Sequence, residues 1–368
     1  MTAAFLFLIF SYFDFRICRG LTTPFINYFY NESIMSSSIP PGYRPRLSVR
    51  DTERAIPKVK AHFQDRLSEN LNLERVSAPL FVLAGTGIND DLNGTERKVS
   101  FEVGDDKGAR VEVVNSLAKW KRMALARYGF KVGEGLWTDM NAIRPDETLD
   151  RIHSLYVDQW DWERVIRAQD RNVDFLRGIV AKIYDAMRNT ERMIEREYHI
   201  KRSLPNDITF VATSDLERSY PNLSRREREN KAAKEEGAIF LMRIGWPLRD
   251  GQPHDGRAPD YDDWNLNGDI VVWNPVLKSA FELSSMGIRV DKDSLQKQLD
   301  AAGATDRLGL RFHSMLMQDE LPLSVGGGIG QSRLSMLLLK KAHIGEVQAS
   351  HWPEEMAQDL ERRGIKLL

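Results

Sequence analysis

The chain has 368 residues, 42% of them hydrophobic and 29% charged, which is typical of a globular enzyme with a sizeable core. No stretch approaches the about 18 apolar residues of a membrane span, so we expect no membrane partner. A formal net charge of -1 lacks the basic excess of nucleic-acid-binding proteins and disfavours a nucleic-acid partner. The single cysteine, Cys18, excludes an internal disulfide and favours a reducing compartment, which we expect to be the cytoplasm.

Residues 1–45 differ in composition from the rest of the chain, with an aromatic-rich start followed by Met35 and a Ser- and Pro-rich stretch. No basic residues precede the apolar run as in a secretory signal, and Asp14 is atypical of a mitochondrial presequence. Targeting stays open as an alternative to a disordered extension or an upstream start with Met35 as the working initiator. We expect one catalytic domain over residues 46–368, and a chain that starts at Met35 should stay active.

Helical periodicity predicts an amphipathic helix soon after residue 51, with Pro57 in its first turn. Its apolar face would be formed by Ile56, Val59, Phe63 and Leu67. A short extended run follows from residue 76 to residue 83. Two strands then flank a Gly- and Asp-rich turn over residues 104–108, which predicts a hairpin.

Ser116 is a plausible N-cap and Gly129 a plausible C-terminal stop for the next helix, which places Lys121 in an early turn. Residues 155–163 alternate as a strand, so that polar side chains share one face of an otherwise apolar element. Those side chains are Gln159, Asp161 and Glu163. Polar groups on one face of such a strand predict a lined site.

Ser224 and Glu227 form a capping box for a highly charged helix up to Gly237, which we interpret as a solvated face. Further strands are predicted over residues 269–273, 281–286 and 321–325, and the last enters a glycine run and an apolar helix to Leu339. Hairpins together with long helices predict an α+β fold, a mostly antiparallel sheet flanked by helices.

The glycine run comprises Gly326, Gly327, Gly328 and Gly330, and it fits neither the Walker loop nor the dinucleotide-binding fingerprint. Glycines exclude side chains where a flat ligand lies against the backbone, and Arg333, one turn into the helix, could stack on a base or bind phosphate. Tight packing of the strand against the helix would demand the same glycines, so a structural explanation stays open.

Two further patterns that contain carboxylate residues also suggest a nucleotide-binding site. Arg144 and Glu147 place a forked cation near a carboxylate, as needed to hold a phosphate and an adenine edge, although a surface ion pair would look the same. Asp269 and Glu282 lie on separate strands, a disposition suited to Mg²⁺, which needs few protein carboxylates besides substrate phosphates. Each could equally be an ordinary edge-strand acid.

In chain order, Pro79 after a long helix, Arg144-Pro145-Asp146-Glu147 after a strand, and the segment from Gly326 to Arg333 resemble the three signature motifs of class II aminoacyl-tRNA synthetases. Four longer strings are similar to the ammonia-dependent asparagine synthetase (aspartate–ammonia ligase) family, whose catalytic domain has that fold. They span residues 116–122, 157–163, 257–264 and 281–289. The resemblance runs from about Arg50 to the end of the chain.

The resemblance implies that the β-carboxylate of aspartate attacks the α-phosphorus of ATP, and that ammonia then displaces AMP from β-aspartyl adenylate. It implies catalytic roles for Arg144, Arg333, Asp90 and Lys121, with Asp90 toward the ammonia or the α-amino group. It implies aspartate binding by Ser116, Gln159, Asp161, Ser284, Ser285 and Arg289, and ATP binding by Glu147, Gly326, Gly327, Gly328 and Gly330. It further implies Mg²⁺ on Asp269 and Glu282, and a homodimer built by the first motif.

Asn115 stands where the resemblance leads us to expect histidine, so a general base is not expected there. The single cysteine lies in the N-terminal segment, so no thiolate nucleophile for glutamine is expected and ammonia should be the nitrogen donor. The alternative is an aminoacyl-tRNA synthetase or a non-catalytic, RNA-binding module of the same fold. The near-neutral charge disfavours the former, and the intact set of catalytic residues disfavours the latter.

Overall fold

A computed structural model describes residues 39–90 and 96–368. The segment that contains Cys18 and Met35, on which predictions about residues 1–45 were made, therefore lies largely outside the described residues. Within the described part, packing begins at Ile39, which is buried against Ala342, Leu360 and Ile365. The packed body, Ile39–Leu368, thus starts before the predicted boundary at residue 46.

Nine α-helices lie in the described part of the chain. They are α1 (Val49–Leu71), α2 (Ala118–Tyr128), α3 (Val173–Tyr198), α4 (Thr213–Ser219), α5 (Arg225–Glu236), α6 (Lys292–Ala302), α7 (Arg311–Met317), α8 (Gln331–Leu338) and α9 (Glu354–Arg362). No helix there is long and apolar enough to cross a membrane.

Eleven β-strands lie in the same described residues. They are β1 (Leu73–Arg75), β2 (Phe81–Leu83), β3 (Ser100–Val103), β4 (Ala109–Val113), β5 (Gly135–Ile143), β6 (Tyr156–Val165), β7 (Thr209–Ala212), β8 (Ala238–Met242), β9 (Asp262–Asn274), β10 (Ser279–Arg289) and β11 (Ser324–Gly330).

Eight strands form one sheet in the order β1-β5-β6-β11-β10-β9-β8-β7, and three form a small sheet in the order β2-β4-β3. The outermost pairs of the large sheet are parallel, and its five inner pairs are antiparallel. Helices α1, α3 and α8 contribute to the main core against the large sheet. The α+β prediction is therefore confirmed, and the predicted hairpin is the pair β3–β4.

Helix α1 begins earlier than predicted, because Ser48 accepts a hydrogen bond from the Asp51 amide and caps it. Pro57 consequently lies inside the helix and not in its first turn. The apolar spacing nevertheless identified the buried face, since Val59, Phe63 and Leu67 are fully buried. Burial of that face stabilises the helix even though Pro57 has no backbone N–H to donate a helical hydrogen bond.

The glycine run differs more from expectation. The predicted strand was to end at Val325, whereas β11 spans Ser324–Gly330 and so contains the run itself. Backbone hydrogen bonds from β6 on one side and β10 on the other hold the glycines extended. Glycine weakens an isolated strand, but two paired neighbours outweigh that preference.

Candidate active site

Two adjoining cavities open on the face of the large sheet where β6, β10 and β11 meet. The Arg333 cavity, of about 130 Å³, is lined by side chains of α8, β6, β10 and the segment before β6. The Lys121 cavity, of about 320 Å³, is lined by α2, β6, β10 and the segment before β9. Both cavities are lined by Arg144, Gln159, Glu282, Ser285 and Gly328.

Strand register explains why the two cavities meet at Gly328. This residue lies opposite Asp161 on β6 and opposite Ser285 on β10. Its neighbour two positions on, Gly330, lies opposite Gln159. Alternate residues of a strand point to the same face, so these polar side chains all project from one side of the sheet.

The glycines of β11 serve different purposes. A Cβ on Gly328 would come within 2.5 Å of Gln159 Oε1 and 2.9 Å of Asp161 Oδ1, so this glycine keeps the cavity open. A Cβ on Gly326 would collide with Glu163, and one on Gly327 would meet the β10 backbone at Ser285. The structural and the ligand-based explanations of the run therefore hold for different glycines.

The cations of the Arg333 cavity are loosely paired. Arg144 Nη1 lies 3.7 Å from Glu147 Oε2, and its buried Nε has no hydrogen-bond partner. Arg333 Nη1 donates to the Glu282 carbonyl at 3.2 Å and lies 3.5 Å from its carboxylate. These guanidinium groups therefore retain N–H donors from which phosphate oxygens could accept hydrogen bonds.

Asp158 holds the start of α8 in place. The N-cap position of this helix is Gly330, which has no side chain to cap it. Asp158 Oδ1 instead accepts from the Ser332 amide at 3.0 Å and from Gln348 Nε2 at 3.3 Å, while its other oxygen pairs with Lys60 at 3.1 Å. A carboxylate on β6 thus caps the helix that carries Arg333.

The Lys121 cavity is built from buried ion pairs. Lys121 Nζ lies 2.8 Å from Asp161 Oδ2 and donates to the Gly327 carbonyl at 2.9 Å. Burial lowers the pKa of Lys121, and the Asp161 charge opposes that shift. Asp161 Oδ1 is buried without a hydrogen-bond partner, and so is Ser284 Oγ, which lines the Arg333 cavity, so each can still bind a ligand.

Arg289 lies at the base of this cavity between two carboxylates. Its Nε and Nη2 donate to Glu163, with Nη2 at 2.7 Å from Oε2, and its Nη1 donates to Asp262 at 2.5 Å. Burial alone would lower the pKa of Arg289, but Glu163 and Asp262 raise it above its ordinary value. Ser324 also donates to Glu163 at 2.7 Å. The arginine is therefore a charged and fixed group before any ligand enters.

The two acids proposed for magnesium lie on adjacent strands. Asp269 pairs with Ser285 across β9 and β10, and Glu282 lies three residues before Ser285 on β10. Arg257 bonds one oxygen of Asp269, while the buried Oδ1 accepts no hydrogen bond. Burial raises the pKa of Asp269 to about 7, with Glu282 and Asp255 adding to the rise against Arg257. Carboxylates that repel each other in this way favour a divalent cation between them.

These acids do not form a complete metal site alone. Across residues 39–90 and 96–368, no group of three or more His, Cys, Asp or Glu side chains is arranged to hold a metal. The pair Asp269 and Glu282, with the orphaned Oδ1, suits Mg²⁺ bound mainly through substrate phosphates. Arg257, on the remaining oxygen, was not assigned a role from the sequence.

Asn115 and Ser116 line the Lys121 cavity just before α2. Ser116 was predicted to be the N-cap of α2, but the helix begins at Ala118 and its N-cap position is Leu117. Ser116 Oγ nevertheless accepts a hydrogen bond from the Ala118 amide at 3.1 Å. Asn115 Nδ2 donates to the Asp90 carbonyl at 3.3 Å. Asp90 itself is buried and lies near Tyr261, whose pKa is raised by burial and by the Asp90 charge.

Most of the residues predicted from the sequence line one cavity or both. The Arg333 cavity includes Arg144, Glu147, Gln159, Glu282, Ser284, Ser285, Gly328, Gly330 and Arg333. The Lys121 cavity includes Ser116, Lys121, Arg144, Gln159, Asp161, Glu282, Ser285, Arg289, Gly327 and Gly328. Three predicted residues line neither cavity, namely Asp90, Asp269 and Gly326.

Sequence reasoning missed several lining residues. In the Lys121 cavity they include Glu96, Asp255, Arg257, Tyr261 and Asp262, and in the Arg333 cavity they include His153, Tyr156, Asp158, Ser332 and Gln348. Arg257, Tyr261 and Asp262 lie inside a string that carries the family resemblance, which was a usable signal. Glu96 and Gln348 stand in segments without a motif, and no local pattern marks them.

Comparison with known proteins agrees with this architecture. A family model described as aspartate-ammonia ligase matches residues 50–364. The aspartate–ammonia ligase of Clostridium tetani is 57% identical over 331 residues, covering 90% of this chain and 97% of that protein. The corresponding ligase of Ruminiclostridium cellulolyticum is 56% identical over 336 residues, covering 91% of this chain and 100% of that protein.

Among solved structures, asparaginyl-tRNA synthetase from Pyrococcus horikoshii complexed with asparaginyl-adenylate superposes with a TM-score of 0.60 at 15% identity, covering 82% of this chain and 70% of that one. The Entamoeba histolytica enzyme in complex with asparaginyl-adenylate gives 0.59 at 14% identity, covering 83% and 68%. These likenesses establish the class II synthetase fold. The family match, together with identity above 50% over nine-tenths of the chain, shows that this protein belongs to the aspartate–ammonia ligase family.

Proposed function

We propose that the protein synthesises L-asparagine from L-aspartate, ammonia and ATP through β-aspartyl-AMP, releasing AMP and pyrophosphate. The observation that carries the proposal is the meeting of two cavities at Arg144, Gln159 and Ser285. ATP would occupy the Arg333 cavity and aspartate the Lys121 cavity. The β-carboxylate of aspartate and the α-phosphate of ATP would be held together at that boundary. Because binding has already restricted their relative motion, the chemical step would need little further loss of entropy.

In the first step a β-carboxylate oxygen bonds to the α-phosphorus and pyrophosphate leaves with the electron pair of the broken bond. Arg144, at the boundary, would neutralise charge that develops on the α-phosphate, and Arg333 would bind the outer phosphates. Glu147 would accept from the adenine amino group. Asp269 and Glu282 would hold Mg²⁺, which supplies further charge neutralisation at the phosphates when bound.

Aspartate would be recognised by groups that are already charged and fixed. Arg289 and Lys121 would attract its carboxylates, while Asp161, whose Oδ1 lacks a partner, would accept from its ammonium group. Ser116, Gln159 and Ser285 line this cavity and would add neutral hydrogen bonds, whereas Ser284 lines only the Arg333 cavity. The segment from residue 255 to residue 262 would close one wall of this pocket.

In the second step ammonia attacks the acyl carbon, AMP leaves with the bonding electrons, and one proton must be removed from the new ammonium group. Asp90 is the proposed acceptor, because this buried residue, although it lines neither cavity, lies next to Asn115 and Tyr261, which line the Lys121 cavity. Synthesis should rise with pH, since free ammonia and not ammonium carries the attacking lone pair.

The proposed assembly is a homodimer. The small sheet exposes Phe81, Leu83 and Phe101, and Leu80 just before it is exposed as well, each about half accessible. The ring centroids of Phe81 and Phe101 are 5.5 Å apart. These exposed apolar side chains support an isologous contact near the predicted first motif. Sedimentation should show a dimer, and Phe81→Glu with Phe101→Glu should shift it to monomer. A fully active wild-type monomer at micromolar concentration would contradict this.

The test of function is product analysis with purified protein, aspartate, ATP, Mg²⁺ and ammonium in the presence and absence of tRNA. We expect asparagine, AMP and pyrophosphate in equal amounts without tRNA, and no product when Mg²⁺ is chelated. Amide-labelled glutamine beside unlabelled ammonium should leave asparagine unlabelled. A requirement for tRNA, or label from glutamine at comparable rates, would overturn the proposal. A cytoplasmic setting is proposed with it, because ATP is plentiful there and the chain has a single cysteine.

A further inference from the structure

A cluster of ionisable side chains, buried except for the partly exposed Arg307, connects two segments that line the Lys121 cavity. Asp260 Oδ2 accepts from Lys119 Nζ at 2.8 Å, from His313 Nε2 at 2.9 Å and from Arg307 Nη1 at 3.1 Å. Asp260 and His313 are inaccessible to solvent, and Lys119 is almost so. We call these four residues the Asp260 cluster. None of them lines either of the two cavities that meet at Gly328.

The cluster joins parts of the chain that are distant in sequence. Lys119 lies in the first turn of α2, and Asp260 lies in the segment before β9. His313 is in α7, and Arg307 is in the short 3-10 helix that precedes it. One carboxylate oxygen therefore fixes α2, the segment before β9 and the α7 region relative to each other.

Both anchored segments carry residues of the Lys121 cavity on either side of the anchor. Arg257 and Ala258 precede Asp260, and Tyr261 and Asp262 follow it, and all four line the cavity. On α2 the neighbours of Lys119 include Ala118 and Lys121, which also line it. A displacement at Asp260 would thus move two of the segments that line one pocket.

The same segment has a second, uncharged anchor. Gln298 on α6 donates from Nε2 to the carbonyls of Pro259 and Asp262, both at 2.9 Å, and accepts from the Trp264 amide at 2.8 Å. This amide fixes the backbone without any charge. The charged cluster is therefore not needed merely to satisfy the backbone of the segment.

Charge within the cluster is well compensated. Burial opposes ionisation of Asp260, but the Lys119 charge and hydrogen bonds from His313 and Lys119 lower its pKa below the ordinary value. The group is thus a carboxylate at neutral pH with three donors directed at one oxygen. An ionic link of this kind is stiff, because separating its members would leave a buried charge unpaired.

We propose that Asp260 is a positioning residue, which sets the distance between α2 and the segment 257–262 and so determines how tightly the acid substrate is bound. The proposal rests on the assignment of aspartate to the Lys121 cavity. Asp260 touches neither substrate in this assignment and acts through Lys121, Arg257 and Tyr261.

The test is to measure the Kd for aspartate by titration calorimetry, and KM for aspartate and for ATP, in wild type and in Asp260→Asn. We expect Kd and KM for aspartate to rise about tenfold or more while KM for ATP stays within twofold, because only one pocket loses its geometry. His313→Gln, which retains a donor, should stay within about threefold of wild type, and His313→Leu should follow Asp260→Asn.

The matched control is Glu191→Gln. Glu191 is also a buried carboxylate, which accepts from the Ser203 amide at 2.7 Å and lies 3.5 Å from Lys340, but it lines neither cavity. This variant should lose stability without changing the Kd for aspartate. If Asp260→Asn does not fold, Lys119→Gln, which keeps a donor without the charge, carries the test and should raise that Kd at least fivefold.

The outcomes separate the two proposals. A folded Asp260→Asn protein, or in its place Lys119→Gln, with Kd and KM for aspartate within twofold of wild type would overturn the positioning role, and so would a wild type that does not bind aspartate. A wild type that binds aspartate but forms no asparagine would refute the proposed function while the Kd values still decide the role of Asp260.

Discussion

The Lys121 and Arg333 cavities adjoin but differ in how their charges are held. In the Lys121 cavity, Lys121 and Arg289 are buried and their ion pairs with carboxylates are 2.5–2.8 Å long. In the Arg333 cavity, Arg144 and Arg333 are partly accessible and their nearest carboxylates are 3.5–3.7 Å away. The first cavity is assembled before a ligand enters, whereas the second retains unsaturated donors.

The difference matches the two proposed ligands. Aspartate is small, and an enzyme distinguishes it from similar acids by groups that cannot move to suit the wrong one. A nucleotide brings its own charge and surface, and cations that pair weakly with protein acids can exchange those acids for phosphates. Substitutions should therefore affect folding in the Lys121 cavity and catalysis in the Arg333 cavity.

The largest effect is expected for Arg289→Met. This change leaves Glu163 and Asp262 buried without their partner, and should lower the free energy of unfolding by about 3–5 kcal/mol as well as abolish aspartate binding. Denaturant unfolding measures the loss. The control is Arg225→Met, since Arg225 pairs with Asp250 at 2.8 Å on the surface and should contribute at most about 1 kcal/mol. Equal losses in the two variants would refute the preassembled pocket.

A pH effect is expected behind the Arg333 cavity, where His343 packs on Trp352 at 4.6 Å between ring centroids. Burial lowers the pKa of His343 to about 4, from about 6.5 in an unfolded chain. The unfolded state therefore binds more protons between those pH values, and stability falls as pH falls. Wild type should lose roughly 3 kcal/mol more than His343→Gln between pH 7 and pH 4. Parallel stability profiles for the two proteins would contradict this.

Arg144→Ala should separate catalysis from folding. Its guanidinium has no tight partner, so the melting temperature should stay within a few degrees of wild type. Loss of a donor that acts on developing phosphate charge should lower kcat roughly a hundredfold or more. Steady-state kinetics and a thermal melt on the same preparation decide it. Turnover within a few-fold of wild type would exclude Arg144 as the phosphate clamp.

The smallest effects are expected along β11, where substitution of one glycine should lower stability and substitution of another should weaken substrate binding. Gly326→Ala forces a methyl group into the Glu163 ion pair and should cost about 1–3 kcal/mol of stability. The nearest atoms to a methyl group in Gly328→Ala are the side-chain ends of Gln159 and Asp161, which line the cavity, so this variant should fold and raise both substrate KM values roughly tenfold. If Gly328→Ala were the less stable of the two, the glycines would have the opposite roles.

Much of the fold was predictable from local pattern. The spacing of Val59, Phe63 and Leu67 identified the buried face of α1, and Ser224 with Glu227 identified the start of α5. The bounds were less accurate, since β11 includes the glycine run and α1 begins before Asp51. Caps and strand partners decide such bounds, and they depend on residues outside the local window.

The sequence by itself determined the family and the polar face of β6, because a long motif string and a two-residue alternation are properties of contiguous residues. Only the tertiary structure decided which charges share a space. Glu163 and Arg289 are 126 positions apart, and the sheet register brings them together. The ion pairs Arg257–Asp269 and Lys119–Asp260 likewise form only in the folded chain. Pairing between residues so far apart in sequence follows from tertiary packing and leaves no periodic pattern in the sequence.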